Sequence, residues 1–196
     1  TQPGAYTLAS ADGQTRTVTV ASLPAPQELT GAWTVTFDSK WGGPAKPVTF
    51  DTLDDWSKRP EDGIRYYSGT AIYRKTFAFS QFEISNLKSQ IHLDLGRVAV
   101  MAEVKLNGKD LGIQWKPPFR VDVTGAVKPG DNALEVRVVN LWINRQIGDE
   151  QLPEDSDRNP SGNLKSWPPW LQNGQPSPAG RYTFTSWRLW KKDSPL

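Results

Sequence analysis

Cysteine is absent from the 196 residues, and histidine occurs once, at His92. The first absence excludes a disulfide framework and any thiolate metal site. The second excludes a histidine-based catalytic triad, a zinc-binding HExxH helix and any multi-histidine metal centre. His92 lies in an alternating, strand-like run and reads as a structural or surface residue. Net charge is equally scarce: 23 basic and 21 acidic residues give a formal +2, interspersed along the chain, so neither nucleic acid nor an anionic membrane is indicated as a partner. No apolar run approaches the roughly 18 residues of a membrane-spanning helix. The GxSxG nucleophile elbow, the glycine-rich phosphate loop and the GxGxxG dinucleotide turn are all missing. The two carboxylates of a glycosidase need only lie about 5 to 10 Å apart in space, without a motif. Glu150, Glu154, Asp155 and Asp157 cluster, but a solvated acidic loop is the simpler reading of them.

What the chain has is a succession of short, β-branched and aromatic runs punctuated by Gly, Pro, Asn and Asp. "AYTLAS" and "TRTVTVAS" alternate with period two around Asp12-Gly13, and a proline-bearing linker, "LPAPQEL", follows. Residues 1–24 therefore read as the end of a preceding β domain plus linker. From residue 25 to 196 the runs "AWTVTF", "KPVTF", "GTAIYRKTF", "SQIHLDLG", "VMAEVKL", "FRVDVT", "NALEVRVVN" and "RYTFTSWRLW" predict strands, and no window predicts an amphipathic helix of about twelve residues or more. The fold class expected is an all-β sandwich. In "AEVKLNGKDLG" (102–112) the Asn107-Gly108 pair supplies the two positive-φ positions of a tight hairpin turn.

Residues 141–180 break this rhythm. The stretch is rich in Pro, Gly, Asn, Asp and Trp and contains no clear strand; structureless loops beyond about 12 to 15 residues inside a compact domain are usually functional or disordered. Its tryptophans argue against disorder. Trp and Tyr offer a flat apolar face that stacks on the C–H side of a sugar and a polar tip that hydrogen-bonds. The loop-borne Trp115, Trp142, Trp167 and Trp170 are therefore the candidates for carbohydrate, with Asn144, Arg145 and Asp149 as neighbouring hydrogen-bonding groups. Trp33, Trp187 and Trp190, in strand-like runs, read as core or edge packing. In "DSDRNPSG" the side chains of Asp155, Asp157 and Asn159 place oxygens at alternate positions, as a calcium loop does. Gly162 falls at the eighth position rather than the sixth and Ser166 stands at the twelfth, so this is no EF-hand, and Asx-turns ordering a Pro-rich loop compete with an oxygen-ligand site.

The segments "YYSGTAIYRKTF" (66–77), "LDLGRVAVMAEVKLNGKDLG" (93–112) and "PPFRVDVTGAVKPGDNALEVRVVN" (117–140), in this order, resemble the sugar-binding jelly-roll domain of family 2 glycoside hydrolases. With "WKPPFRVDVT", "VNLWINRQIGDEQLPEDSDRNP" and "GRYTFTSWRLWKKDSPL", the chain from Leu23 to Leu196 is similar to the carboxyl-terminal region of bacterial α-L-rhamnosidases of glycoside hydrolase family 106. The resemblance implies a galactose-binding-like jelly roll lacking a final strand, with the catalytic domain elsewhere and no catalytic residue here. It also implies a secreted or periplasmic bacterial protein, with other domains of a parent enzyme as partners. Such modules often resemble one another in carrying a structural Ca2+; no other cofactor is implied. The expected function is a carbohydrate-binding or accessory module acting on rhamnose-containing polysaccharide or oligosaccharide; the alternative is a structural domain docking on the catalytic barrel.

Overall fold

A computed structural model describes residues 2–21, 25–80 and 90–196. The chain divides into two compact units, residues 1–30 and 31–196. In the first, β1 (Gly4–Ala9) pairs antiparallel with β2 (Thr15–Val20), and Gly13 takes the positive φ, +82°, that the turn requires. Part of the linker expected over residues 23–29, and the start of the strand expected from residue 89, lie outside the described residues.

The second unit is built on one antiparallel sheet in the order β4-β3-β5-β10-β7-β8: β3 is Trp33–Thr36, β4 Val48–Phe50, β5 Thr70–Phe79, β7 Met101–Leu106, β8 Lys109–Gln114 and β10 Gly130–Val139. A second pair, β6 (His92–Asp94) with β9 (Arg120–Asp122), forms a separate antiparallel ladder. Register explains which face is dry. Val35, Tyr73, Val136 and Val104 stand opposite one another across four strands, and all four are buried. One residue along, Thr34, Arg74, Glu135, Lys105 and Asp110 form the row on the other face. Arg74 pairs there with Glu135 at 2.9 Å. Period-two alternation thus assigns one face to the core and one to water.

Phe119, Val121 and Val123, in and beside β9, are also buried. One end of the core is aromatic: Phe37 meets Tyr67 at 5.0 Å and Trp56 at 5.6 Å between ring centroids, both edge-on, and Phe50 meets Tyr73 at 5.8 Å. Edge-on contacts of this kind add about 0.5 to 1.5 kcal/mol to the area buried. Burial pushes the Tyr73 and Tyr67 phenols above their ordinary pKa. Trp56 Nε1 donates to the Tyr73 hydroxyl, and the Tyr67 hydroxyl donates to Thr70 O while accepting from Asp38 N, so the buried polar tips are satisfied.

The β7–β8 hairpin turns at Asn107 (φ 53°) and Gly108 (φ 81°), as the sequence predicts. Asn107 does more than turn the chain. Its amide donates to Ala126 O and to Asn132 Oδ1, and its Oδ1 accepts from Ala133 N. Fully buried Asn132 also accepts from Lys128 N at 2.9 Å and donates to Lys128 O and Gly130 O. These two side chains brace the hairpin against the start of β10.

Two expectations need correction. The run "RYTFTSWRLW" (181–190) forms no strand; among the described residues its only ladder contact is an isolated bridge between Asn163 and Trp187. The amides of Tyr182 and Thr183 donate to the Asp149 carboxylate instead of to a neighbouring strand. The 141–180 stretch contains helices too short to carry a periodic signal: α2 (Ile143–Asp149) and α3 (Pro169–Gln172) follow α1 (Asp62–Arg65) in chain order. Replacing Asn132 with alanine removes four hydrogen bonds of a fully buried side chain and is expected to cost about 2 to 4 kcal/mol. The readout is the urea midpoint, and an unchanged midpoint would contradict the bracing role.

Candidate functional site

The end of β10 sets up the site. Asn140 donates to Tyr67 O and accepts from Gly69 N, both at 2.9 Å, clamping the 67–69 segment. Helix α2 then docks on the same segment: Arg145 N donates to Ser68 Oγ at 2.9 Å, and Asn144 reaches Arg65 O at 3.5 Å. Gly148 permits the approach, because a Cβ there would lie 2.5 Å from the Tyr66 Cβ.

Arg145 and Asp149, one helical turn apart, are 8% and 1% exposed. The sequence reading offered them to a ligand; the structure places them in the interior. Arg145 Nε and Asp149 Oδ1 approach to 2.9 Å without hydrogen-bond alignment, so Coulomb attraction carries that contact. Asp149 Oδ2 accepts three donors: Tyr182 N at 3.1 Å, Thr183 N at 2.7 Å and Thr183 Oγ1 at 2.6 Å. The Arg145 guanidinium also lies 5.3 Å from the Tyr182 ring centroid. Together they pin the returning strap, residues 177–190, to α2.

The acidic cluster is ion-paired: Glu150 and Asp155 are shielded from water, while Glu154 and Asp157 are exposed as well as paired. Glu150 meets Arg181 at 3.1 Å and Arg188 at 3.3 Å, and Glu154 meets Arg188 and Arg158. Asp155 lies 3.6 Å from Arg181 and accepts from the Ser177 and Ser156 hydroxyls. Asp157 holds Lys165 at 3.0 Å. Asn159 Oδ1 accepts from Ser161 N, Ser161 Oγ and Asn163 N, an Asx-turn arrangement. Asp155, Asp157 and Asn159, the candidate calcium ligands, therefore face separate protein partners. Among the described residues no group of three or more His, Cys, Asp or Glu is placed to hold a metal ion. His92 is exposed on β6.

The candidate tryptophans separate into groups. Trp142 is 44% exposed and meets Trp41 edge-on at 5.2 Å. Trp167 and Trp170 both pack on Phe184, each at 5.7 Å, and Trp170 Nε1 donates to Asp155 O. Trp115 is exposed under the Lys116 ammonium. Trp33 is buried and Trp190 donates to Gln146 Oε1, whereas Trp187 is exposed rather than packed. Trp41 belongs beside Trp142, and Tyr182 lies against Gly42, the residue after Trp41; neither is among the candidates drawn from the sequence. The signal was present at Trp41: "DSKWGGPAK" sets a lone Trp among turn residues, the criterion that singled out Trp142.

A family profile described as glycosyl hydrolase 2 galactose-binding domain-like matches residues 54–169, more than half the chain. The chain belongs to this family, and its all-β, galactose-binding-like sandwich follows. It is 47% identical over 194 residues to a Formosa agariphila protein named "Putative beta-glucuronidase", covering 99% of this chain and 16% of that protein. It is also similar to the structure of a rhamnosidase from Novosphingobium sp. PP1Y, with 33% identity and a TM-score of 0.69 over 91% of this chain and 14% of that one. A looser likeness, 25% identical with a TM-score of 0.49, is to a β-glucuronidase from Ruminococcus gnavus, covering 58% of this chain and 21% of that one. The chain thus spans a small part of the length of each relative.

Replacing Asp149 with alanine leaves the buried Arg145 charge unpaired and frees the strap. The expected loss is about 3 to 5 kcal/mol, with amide hydrogen exchange at Tyr182 and Thr183 rising to the level of an exposed loop. Protection persisting at those two amides would contradict the pinning role.

Proposed function

We propose that this chain is a non-catalytic carbohydrate-binding accessory module of a rhamnosidase-like glycoside hydrolase that acts on rhamnose-containing plant polysaccharide. The observation that carries the reading is the rhamnosidase likeness, 33% identical over 91% of this chain, within a family described as galactose-binding domain-like. The resemblance to the carboxyl-terminal region of family 106 α-L-rhamnosidases points the same way, as do the solvent-facing tryptophans of a domain whose acidic cluster is tied up in ion pairs. The Formosa relative carries a glucuronidase name, and the choice of polymers in the test below distinguishes the two sugars. In this reading the protein works outside the cytoplasm, secreted or periplasmic, where its polymer is found.

A second reading is a domain that docks on the catalytic barrel and binds no sugar of its own. It is favoured by the concentration of exposed apolar residues along one segment: Leu141, Trp142, Trp167, Tyr182, Trp187 and Leu189. Affinity gel electrophoresis of the 196-residue chain separates the two. The module reading expects retardation in gels containing a rhamnose-rich polysaccharide, unchanged by a calcium chelator if Asp155, Asp157 and Asn159 serve only their protein partners. Migration unaltered by rhamnose-rich polymer, galactan and arabinan alike would favour docking.

A further inference from the structure

Two aromatic rings from distant segments meet on the surface of the second unit, and a third, Tyr182, lies against the glycine that follows one of them. Trp41 comes from the 3-10 turn over residues 39–41, Trp142 from the start of α2, and Tyr182 from the strap; they are 41%, 44% and 42% exposed. Trp41 and Trp142 stand nearly perpendicular, at 76°, and form a corner. Tyr182 reaches this corner because the next residue is Gly42. A Cβ on Gly42 would lie 2.9 Å from the Tyr182 ring, and Gly42 holds a φ of +80° that an L side chain resists.

The chemistry of these rings differs from that of the other aromatics. Trp56, Trp170 and Trp190 spend their indole N–H groups on partners inside the protein. The N–H groups of Trp41 and Trp142 and the Tyr182 hydroxyl have no hydrogen-bond partner among the described residues. Each ring therefore offers water a flat apolar face beside an unused polar handle. Tyr182 is also held from behind. Arg145 lies under Tyr182, Asp149 fixes the Tyr182 backbone, and both are buried, so this ring is ordered before anything binds, while Trp41 and Trp142 brace each other edge-on. The cation beneath the surface is already neutralised by Asp149, which leaves stacking and hydrogen bonding rather than charge as the means of recognition.

We propose that the corner formed by Trp41, Trp142 and Tyr182 is the carbohydrate contact, taking an uncharged pyranose by its C–H face, with the indole N–H groups and the phenol directed to its hydroxyls. This rests on the module reading above and gives it a location. A protein partner fits less well. Standard protein interfaces bury about 800 Å² on each side, whereas three part-exposed rings form a small surface, and ring contacts assign Trp167 to a separate group on Phe184.

The test is affinity electrophoresis of wild type, Trp41→Ala, Trp142→Ala and Tyr182→Ala in gels of rhamnose-rich polysaccharide, galactan, arabinan or polygalacturonate, with Trp115→Ala as the control. Trp41→Phe and Trp142→Phe keep a stacking face if an alanine variant unfolds, and the thermal midpoint reports folding. The expected result is wild-type retardation on galactan or on the rhamnose-rich polymer, whose units are pyranoses; retardation on arabinan alone, a furanose polymer, would overturn the pyranose occupant. Affinity should fall roughly tenfold or more for each Trp→Ala change, as for a central aromatic anchor, less for Trp→Phe and not at all for Trp115→Ala. Wild-type retardation that survives both tryptophan changes would overturn this location while sparing the module reading. Retardation on polygalacturonate alone would overturn the uncharged occupant, and no retardation on any polymer would overturn both.

Discussion

The Asp149 carboxylate is the constraint on which the irregular half of the domain depends. A buried charge is costly to desolvate, and an ion pair alone often does no better than break even. Here the carboxylate faces one guanidinium and takes three hydrogen bonds on its other oxygen, and bonds to a charged acceptor are about twice as strong as neutral ones. Its partners belong to two places in the chain, α2 and the strap. This side chain thus ties the backbone at Tyr182 and Thr183 to α2, beside the ion pairs of Glu150 with Arg181 and Arg188, and the Tyr182 ring comes to lie against Gly42.

The sandwich beneath supplies rigidity by ordinary means. One face of the six-stranded sheet is a registered row of apolar side chains, the other a row of alternating polar and charged ones, and the Asn107–Asn132 bond fixes where the β7–β8 hairpin meets the start of β10. Two glycines then let the annex come close. Gly148 brings α2 against Tyr66, and Gly42 brings the strap against the Trp41 turn. In both places an added methyl group would meet a ring or its Cβ, so the aromatic surface depends on what these residues lack.

The strands of the sheet were legible in the sequence because alternation records burial on one face, and Asn107-Gly108 was legible because few other pairs accept two positive φ angles. The strap was misread for a physical reason. "RYTFTSWRLW" alternates like a strand, but alternation does not say who receives the backbone hydrogen bonds, and here a carboxylate more than thirty residues away receives those of Tyr182 and Thr183. Helix α2 spans seven residues, fewer than a helical period needs to declare itself. Arg145 and Asp149 looked like ligand-binding groups beside Trp142, although their spacing of four equally fits an ion pair on one helix face. Trp41 was overlooked because it is remote in sequence from the tryptophan-rich stretch, and only the fold brings the two together.

The most direct measurement on the central claim, that a sugar rests on the corner of Trp41 and Trp142, is an NMR titration of the indole N–H resonances with an oligosaccharide of the polymer that retards the protein. The chain has nine tryptophans, and each indole reports its own surroundings. The account predicts that the Trp41 and Trp142 signals move together with saturation, while those of Trp56, Trp170 and Trp190, already bonded within the protein, stay in place. Shifts confined to Trp115, Trp167 or Trp187 would contradict it.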